Sequence, residues 1–220
     1  MSVYFEIEKI GIIAILRHIQ PHMMMPVAEV LQEAGITILE VTMETPGALN
    51  MIETLRTEFP DHLTVGAGTV LDAETARAAM LSGAQFVVSP TVNIEMIRTV
   101  KRYGGLCMPG AMTPTEIVMA YENGADMVKI FPAHVLGPTY FRAVSSPLPH
   151  IPFVATGGIN LENAGSYISA GAVAVGLGHS LFDPRKEMTD EGFIQLKKTA
   201  SKFVEKVRNA KRSSTNRAAK

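Results

Sequence analysis

One lysine of this sequence lies in the middle of an apolar run, where lysine is unusual. Lys129 stands between Val128 and Ile130 within the stretch 127–131. Lysine is seldom buried unless it is paired or functional, and a low-dielectric surrounding disfavours its ammonium form. The neutral amine is the form that attacks a ketone to make a Schiff base. The pattern therefore favours a nucleophilic lysine. The alternatives are a lysine that reaches outward to solvent and one held in a structural ion pair.

A glutamate occupies a comparable position in another apolar stretch. Glu40 lies within 36–43 and shares one face of the predicted strand with Ile38 and Thr42. A buried carboxyl group with a raised pKa can accept and return protons near neutral pH. Glu40 is therefore a candidate general acid and base, and a structural salt bridge to a buried lysine is the alternative.

An arginine ends the first apolar stretch of the chain. Arg17 falls on the same face of the predicted strand as Ile13 and Ile15. A guanidinium group binds a carboxylate or a phosphate through two parallel hydrogen bonds. We expect Arg17 to anchor an anion, and an ordinary surface ion pair is the alternative.

Two glycine-rich segments in the last third of the chain could bind phosphate. They are Thr156-Gly157-Gly158-Ile159-Asn160 and Gly176-Leu177-Gly178-His179-Ser180. Glycine leaves backbone N–H groups accessible, and such groups cradle phosphate at helix N-termini. We expect the phosphate site at Gly157, Gly158, Gly178 and Ser180, and two tight turns are the alternative. A third segment, 66–69, allows close backbone approach and ends in the hydroxyl group of Thr69.

These candidate residues fall near the ends of short apolar stretches that alternate with segments of helical spacing. The predicted strands are 12–17, 36–43, 64–69, 86–90, 105–110, 127–131, 153–156 and 172–177. Eight β/α units of this length indicate an α/β protein with a closed (β/α)8 TIM barrel, whose catalytic groups gather at the carboxyl ends of the strands. A doubly wound open sheet is the competing layout. It usually has fewer strands and a glycine-rich turn after the first one, which here ends in Ile15-Leu16-Arg17.

The chain divides into one folded domain and a short tail. With 220 residues, of which 47% are hydrophobic and 19% charged, it has the size and balance of a single globular domain. We assign residues 1–210 to one barrel domain, whose first ten residues form a short helix across the barrel bottom. Residues 211–220 are assigned to a basic flexible tail, and a functional basic arm is the alternative.

Composition excludes several classes of partner. The net charge of −1 gives no electrostatic reason to expect nucleic acid. No apolar stretch reaches the roughly 18 residues that a membrane helix needs. The single cysteine, Cys107, cannot form an intramolecular disulfide, which is consistent with a reducing, cytoplasmic compartment. The histidines lack metal-ligand spacing, so we expect no metal site.

Taken together, these motifs resemble those of the aldolases that cleave 2-keto-3-deoxy-6-phosphogluconate (KDPG) or its galactonate epimer, the bifunctional family that includes 4-hydroxy-2-oxoglutarate aldolase. The resemblance spans about residues 8–205 and rests on Ile13-Ala14-Ile15-Leu16-Arg17, Leu39-Glu40-Val41-Thr42, Val65-Gly66-Ala67-Gly68-Thr69-Val70, Val88-Ser89-Pro90, Lys129-Ile130-Phe131-Pro132 and Thr156-Gly157-Gly158. It implies a small eight-stranded barrel, a homotrimer, and a class I aldolase without metal or organic cofactor. It also implies Lys129 as the Schiff-base former and Glu40 as the general acid and base. Thr69, Pro90, Phe131 and Thr156 would line the pyruvate site.

One position departs from the pattern of the family that the sequence resembles. Many gluconate-type members carry an arginine two residues after the Glu-Val-Thr triplet, where it binds the pyruvate carboxylate. This sequence has Met43-Glu44 there, and a glutamate would repel that carboxylate. Galactonate-type members have their arginine at the end of the first strand instead, where Arg17 stands. The resemblance therefore favours the galactonate branch, while Glu44 leaves the identity of the sugar acid open.

The expected reaction follows from these implied roles. Lys129 forms an imine with the C2 ketone of a 2-keto-3-deoxy-6-phospho sugar acid of the gluconate or galactonate type. Glu40, through a water molecule, removes the C4 hydroxyl proton as the C3–C4 bond breaks. The products are pyruvate and glyceraldehyde 3-phosphate, as in Entner–Doudoroff metabolism. One alternative is cleavage of 4-hydroxy-2-oxoglutarate or decarboxylation of oxaloacetate through the same imine. Another is a sugar-phosphate epimerase or binding barrel that is not a lyase.

Overall fold

Strands and helices alternate along the chain in a computed structural model, which describes residues 2–184 and 188–218. The strands are β1 Ile12–Leu16, β2 Ile38–Thr42, β3 Thr64–Gly68, β4 Phe86–Val88, β5 Leu106–Met108, β6 Gly110–Ala111, β7 Val128–Ile130, β8 Phe153–Thr156 and β9 Ala172–Leu177. The helices are α1 Val3–Ile10, α2 Pro21–Glu33, α3 Ala48–Glu58, α4 Ala73–Leu81, α5 Ile94–Arg102, α6 Pro114–Glu122, α7 Ala133–Ser145, α8 Ala164–Ser169 and α9 Asp190–Ala218. All paired strands run parallel, as βαβ connections require.

The strands form a barrel, as the sequence predicts. Their order is β5-β4-β3-β2-β1-β9-β8-β7-β6, so the two ends of the sheet belong to consecutive pieces of one chain segment. The segment predicted as the single strand 105–110 is divided at Pro109, which has no N–H to donate. On one side the Ser89 N–H donates to the Met108 carbonyl at 3.2 Å, and on the other the Lys129 N–H donates to the Pro109 carbonyl at 2.9 Å. This one segment thus joins β4 to β7 and closes the sheet.

The barrel interior is apolar towards the amino ends of its strands. Its core cluster consists of Ile7, Ile13, Ile38, Phe86, Val88, Leu106, Met108, Met127, Val154 and Ala174. Ile7 belongs to α1, so this helix covers the barrel bottom, and the predicted short N-terminal helix is confirmed. A second, larger cluster lies between the sheet and the outer helices. Alternate residues of each strand point into one cluster or the other. Since the apolar cluster fills the interior at the amino ends of the strands, the polar residues of the interior lie further along the strands.

Local sequence signals fix the ends of several helices. At the start of α6, the Thr113 hydroxyl accepts from the Glu116 N–H at 3.3 Å, while the Glu116 carboxylate accepts from the Thr113 N–H at 2.8 Å. This is a capping box. Asp72 and Asn93 cap α4 and α5 through their side chains. These caps set where each helix departs from the strand that precedes it.

The last helix extends further than the sequence indicates. α9 runs from Asp190 to Ala218, past residue 210, where the predicted basic tail begins. Residues 211–218 are therefore helical in the structure, and residues 185–187 and 219–220 lie outside the described residues. The boundary between a 1–210 domain and a flexible 211–220 tail stays a prediction. Within the described ranges, every helix is too short or too polar to cross a membrane.

Candidate active site

A cavity of about 380 Å³ opens at the carboxyl ends of β1, β7, β8 and β9. Eight predicted site residues line it: Arg17, Lys129, Phe131, Thr156, Gly157, Gly158, Gly178 and Ser180. Its other lining residues are Ile15, Ile159, Gly176, His179, Phe182 and Pro184. The cavity therefore lies where a barrel of this kind carries its active site.

Lys129 is buried in β7 and faces the barrel interior. Its side chain is 3% exposed, whereas Val128 and Ile130 on either side pack into the outer cluster. The Nζ atom lies 5.0 Å from the centre of the Phe131 ring. Burial lowers the pKa of Lys129, with the nearby Glu40 carboxylate acting in the opposite direction. The structure thus excludes the outward-reaching alternative and favours the neutral amine.

Glu40 lies in the same interior, on β2. Its side chain is 2% exposed, and burial raises its pKa, against the influence of Lys129 and Arg17. The Oε1 atom has no hydrogen-bond partner among the residues that the structure describes, so it does not bond to the Lys129 amine. A carboxyl group whose pKa is raised by burial and whose oxygen is not engaged in a hydrogen bond can exchange protons with a bound molecule.

The neighbouring strand leaves room for this carboxyl group. Thr42 at the end of β2 pairs in register with Gly68 of β3. A Cβ atom at Gly68 would overlap the Oε1 atom of Glu40. Gly68 therefore leaves the space that the Glu40 side chain occupies in the interior. The sequence alone did not assign this role to Gly68.

Arg17 stands at the cavity rim in a network with two other side chains. It forms an ion pair with the Glu44 carboxylate at 2.8 Å and donates to the Thr69 hydroxyl at 3.2 Å. Thr69, and His18 directly after Arg17 in the sequence, both have left-handed backbone conformations, with φ of 54° and 53°. Such strain in non-glycine residues is common at functional sites. Arg17 thus forms an ion pair, which was the alternative interpretation of its sequence context. It also lines the cavity.

The glycine segments after β8 and β9 form one wall of the cavity. Gly157 and Gly158 both have left-handed conformations, with φ of 94° and 70°. A Cβ atom at Gly158 would lie 2.5 Å from the Cβ atom of His134, so this position requires glycine. The Ser180 hydroxyl is buried without a hydrogen-bond partner within the described part of the chain. Backbone N–H groups and a free hydroxyl on one wall suit a phosphate group.

Three predicted site residues lie beside this cavity rather than on its wall. Glu40 lies deeper in the barrel, and Thr69 belongs to the Arg17 network. Pro90 follows β4, and its carbonyl group would collide with a Cβ atom at Gly110. The structure brings β4 and β6 close together at that point.

Sequence reasoning missed several residues of the cavity. Phe182 and Pro184 line it in the loop that follows Ser180, close to His179, which belongs to the segment predicted to bind phosphate. Their proximity in sequence to Gly178 was a signal that could have found them. Among the residues that the structure describes, no group of three histidine, cysteine or acidic side chains is arranged to hold a metal ion.

Comparison with known proteins agrees with this geometry. The sequence model of the family described as "KDPG and KHG aldolase" matches residues 4–198. The 2-dehydro-3-deoxy-phosphogluconate aldolase of Pseudomonas aeruginosa is 41% identical over 146 residues, which are 66% of each chain. The 2-dehydro-3-deoxy-6-phosphogalactonate aldolase of Escherichia coli is 36% identical over 79% of this chain and 85% of its own.

A solved structure extends the comparison to the fold. The KDPG aldolase of Legionella pneumophila, with pyruvate captured at low pH as a covalent carbinolamine intermediate, superposes with a TM-score of 0.75. The two are 28% identical, and the match covers 91% of this chain and 93% of the other. With a barrel of the same topology and a family match over most of its length, the chain belongs to the KDPG and KHG aldolase family.

Proposed function

We propose that this protein is a class I aldolase that cleaves a 2-keto-3-deoxy-6-phospho sugar acid, of the gluconate or galactonate type, to pyruvate and glyceraldehyde 3-phosphate. One observation carries the proposal: Lys129 is 3% exposed at a cavity, with its pKa lowered by burial. A lysine in that state is a nucleophile towards a ketone. The names of the family and of the relatives support the substrate class.

The first step is addition of the Lys129 amine to the C2 ketone. The nitrogen lone pair forms the C–N bond, and proton transfer gives a neutral carbinolamine. Glu40, whose pKa is raised by burial, donates a proton in its acid form to the carbinolamine hydroxyl, which leaves as water. The product is a cationic imine on Lys129 beside a Glu40 carboxylate.

Carbon–carbon cleavage uses that carboxylate as a base. Glu40 accepts the C4 hydroxyl proton, the C3–C4 electron pair moves into the imine to form an enamine, and C4 leaves as the aldehyde of glyceraldehyde 3-phosphate. Protonation of the enamine at C3 and hydrolysis of the imine then release pyruvate and restore Lys129. Each proton that Glu40 accepts is returned within one turnover, so the reaction needs no external acid.

The remaining residues bind the two ends of the substrate. Arg17 and Thr69 would hold the keto-acid carboxylate at the rim, because guanidinium groups bind carboxylates strongly. The phosphate would bind at Gly157, Gly158, Gly178 and Ser180. The Ser180 hydroxyl, which has no hydrogen-bond partner among the described residues, supports the assignment. Phe131, Thr156 and Pro90 would shape the pocket for the pyruvate portion.

Reduction with borohydride in the presence of pyruvate tests the proposal. We expect one pyruvyl group on Lys129, found by intact mass and peptide mapping, and neither adduct nor cleavage in Lys129→Ala. Lys197→Ala is the matched control, because Lys197 lies on the surface in an ion pair with Glu33. An active Lys129→Ala variant, or a wild-type protein without adduct, would refute the mechanism. An epimerase or a binding barrel would also give no adduct.

A second substrate class shares the same imine. The family description includes KHG, so cleavage of 4-hydroxy-2-oxoglutarate, and decarboxylation of oxaloacetate, are the alternative reactions. Neither substrate carries a phosphate group. The ratio of kcat/KM for phosphorylated and unphosphorylated keto acids decides between the two classes. The Ser180 hydroxyl, which forms no hydrogen bond within the described ranges, favours the phosphorylated class.

We further propose that the protein is a homotrimer in the cytoplasm. Large apolar side chains lie exposed on the outside of the barrel, including Phe5, Tyr103 and Met119, and a subunit interface would cover such groups. The single cysteine is buried and free, which suits a reducing compartment. Light scattering of the purified chain would test the trimer, and cell fractionation would test the location.

A further inference from the structure

Arg17 shares its guanidinium group between two neighbouring loops at the cavity rim. One terminal nitrogen lies 2.8 Å from the Glu44 carboxylate, and the other donates to the Thr69 hydroxyl at 3.2 Å. The Thr69 hydroxyl in turn donates to Glu44 at 3.4 Å. Glu44 therefore accepts from both other members of the network and connects the loops after β1, β2 and β3.

The backbone around Glu44 is held on both sides. The Met43 N–H donates to the Gly68 carbonyl at 2.8 Å, and the Thr45 hydroxyl accepts from the His18 N–H at 2.9 Å. These hydrogen bonds hold the backbone that carries the Glu44 side chain in place beside Arg17. The ion pair between Glu44 and Arg17 is therefore part of the folded structure of the rim.

The charge of this pair matters to the cavity, because Arg17 lines it and Glu44 does not. Among the described residues that line the cavity, Arg17 carries the permanent positive charge that a ligand carboxylate can meet, and the 2.8 Å contact with Glu44 cancels much of its field. Burial is the main cause of the pKa shifts of Glu40 and Lys129, and Arg17 and Glu44 act on both groups in opposite directions. Glu44 therefore reduces the positive potential inside the barrel mouth.

We propose that Glu44 determines specificity through Arg17: by neutralising the guanidinium, it weakens the preference of the site for a keto acid over an uncharged ketone of the same shape. The inference rests on the proposed function, since it concerns the carboxylate of the same substrate. It extends the accepted ligands to neutral 2-oxo compounds such as 2-oxo amides.

The test compares pyruvate with pyruvamide, in which an uncharged amide replaces the carboxylate. The concentration of each that gives half-maximal borohydride trapping on Lys129 is measured for the wild-type protein, Glu44→Gln and Glu44→Ala. Glu33→Gln is the matched control, because Glu33 also forms a 2.8 Å ion pair, with Lys197 on an outer surface. The ratio of the two concentrations cancels any general loss of folded protein or of Lys129 reactivity.

We expect both Glu44 variants to prefer pyruvate about tenfold more strongly than the wild-type protein does, with Glu33→Gln unchanged. The effect stays moderate because Arg17 and Glu44 side chains are 41% and 28% exposed and solvent screens them. An unchanged ratio in both variants would overturn the inference. A change in Glu44→Ala alone would also overturn it, since it would show that contacts rather than charge are responsible. A wild-type protein without any adduct would instead refute the aldolase proposal.

Discussion

At the level of single residues, burial changes the pKa values of Lys129 and Glu40 more than their mutual attraction does. It is the largest cause of the lowered pKa of Lys129 and of the raised pKa of Glu40, although each charge would stabilise the other. A low-dielectric interior favours the two neutral forms over an ion pair whose members are not in contact. Neutral Lys129 and protonated Glu40 are the forms that imine formation needs at its start.

Glu40→Gln separates the two roles of this pair. Glutamine keeps the size of the side chain but cannot exchange protons, so we expect cleavage to fall by about 10²- to 10⁴-fold. The pyruvate adduct on Lys129 should still form. Wherever Glu40 is ionised in the wild-type protein it raises the pKa of Lys129, so its loss lowers that pKa and adduct formation should extend to more acidic pH.

Cleavage rates and borohydride trapping between pH 4 and 9 check this expectation, with Glu33→Gln as the control for an exposed glutamate. Glu40 would not be the general acid and base if Glu40→Gln cleaved substrate at the wild-type rate. A pH profile of trapping that moved towards alkaline pH would contradict the assigned electrostatics of the pair.

At the level of elements, the apolar stretches predicted the strands well because barrel strands are buried on both faces. The predictions 153–156 and 172–177 coincide with β8 and β9. They also placed Lys129 and Glu40 correctly in the interior, since side chains of a strand alternate. The division of 105–110 at Pro109 was not predicted, because it depends on which strands lie on either side of the proline.

The rim was harder to predict from sequence than the strands. The network of Arg17, Glu44 and Thr69 includes one residue in a left-handed conformation, Thr69, and a second, His18, follows Arg17 directly. Non-glycine residues adopt these conformations rarely, and no local pattern indicates them. The sequence therefore predicted Glu44 as an acid that repels substrate and did not identify it as the partner of Arg17.

Gly68→Ala tests how strand β3 positions the base on β2. A Cβ atom there would overlap the Glu40 carboxyl group, so the side chain must move. We expect cleavage to fall by about 10²-fold or more, as for a base displaced from its substrate, while trapping of pyruvate on Lys129 persists. Steady-state cleavage and borohydride trapping measure the two effects.

Gly165→Ala is the matched control for this substitution. Gly165 lies in α8, where a Cβ atom would meet Lys206 at an ordinary contact distance of 3.6 Å. It should leave cleavage unchanged, since alanine is favoured over glycine in helices. Wild-type cleavage by Gly68→Ala would show that Glu40 does not need the space that Gly68 leaves.

Across the whole molecule, the apolar residues that stabilise the barrel and the ionisable residues proposed to react lie at different ends of its interior. The amino-terminal end is filled by the apolar cluster that α1 covers through Ile7. The carboxyl-terminal end buries Glu40 and Lys129, two ionisable groups without a direct contact between Glu40 Oε1 and the amine. Burying such groups costs stability that an apolar side chain would not cost. The reactive lysine should therefore destabilise the fold that positions it.

Lys129→Met should consequently be inactive and more stable than the wild-type protein, by about 1 kcal/mol in the free energy of unfolding at pH 7. Because the folded-state pKa of Lys129 is lowered, the unfolded chain binds more protons, so wild-type stability rises as pH increases from that lowered pKa towards 10.5. The gain from Lys129→Met should shrink over the same range. Urea unfolding at pH 7 and pH 9.5 measures both effects. With Lys197→Met as the exposed control, a Lys129→Met protein less stable than wild type would mean that the buried amine stabilises the barrel.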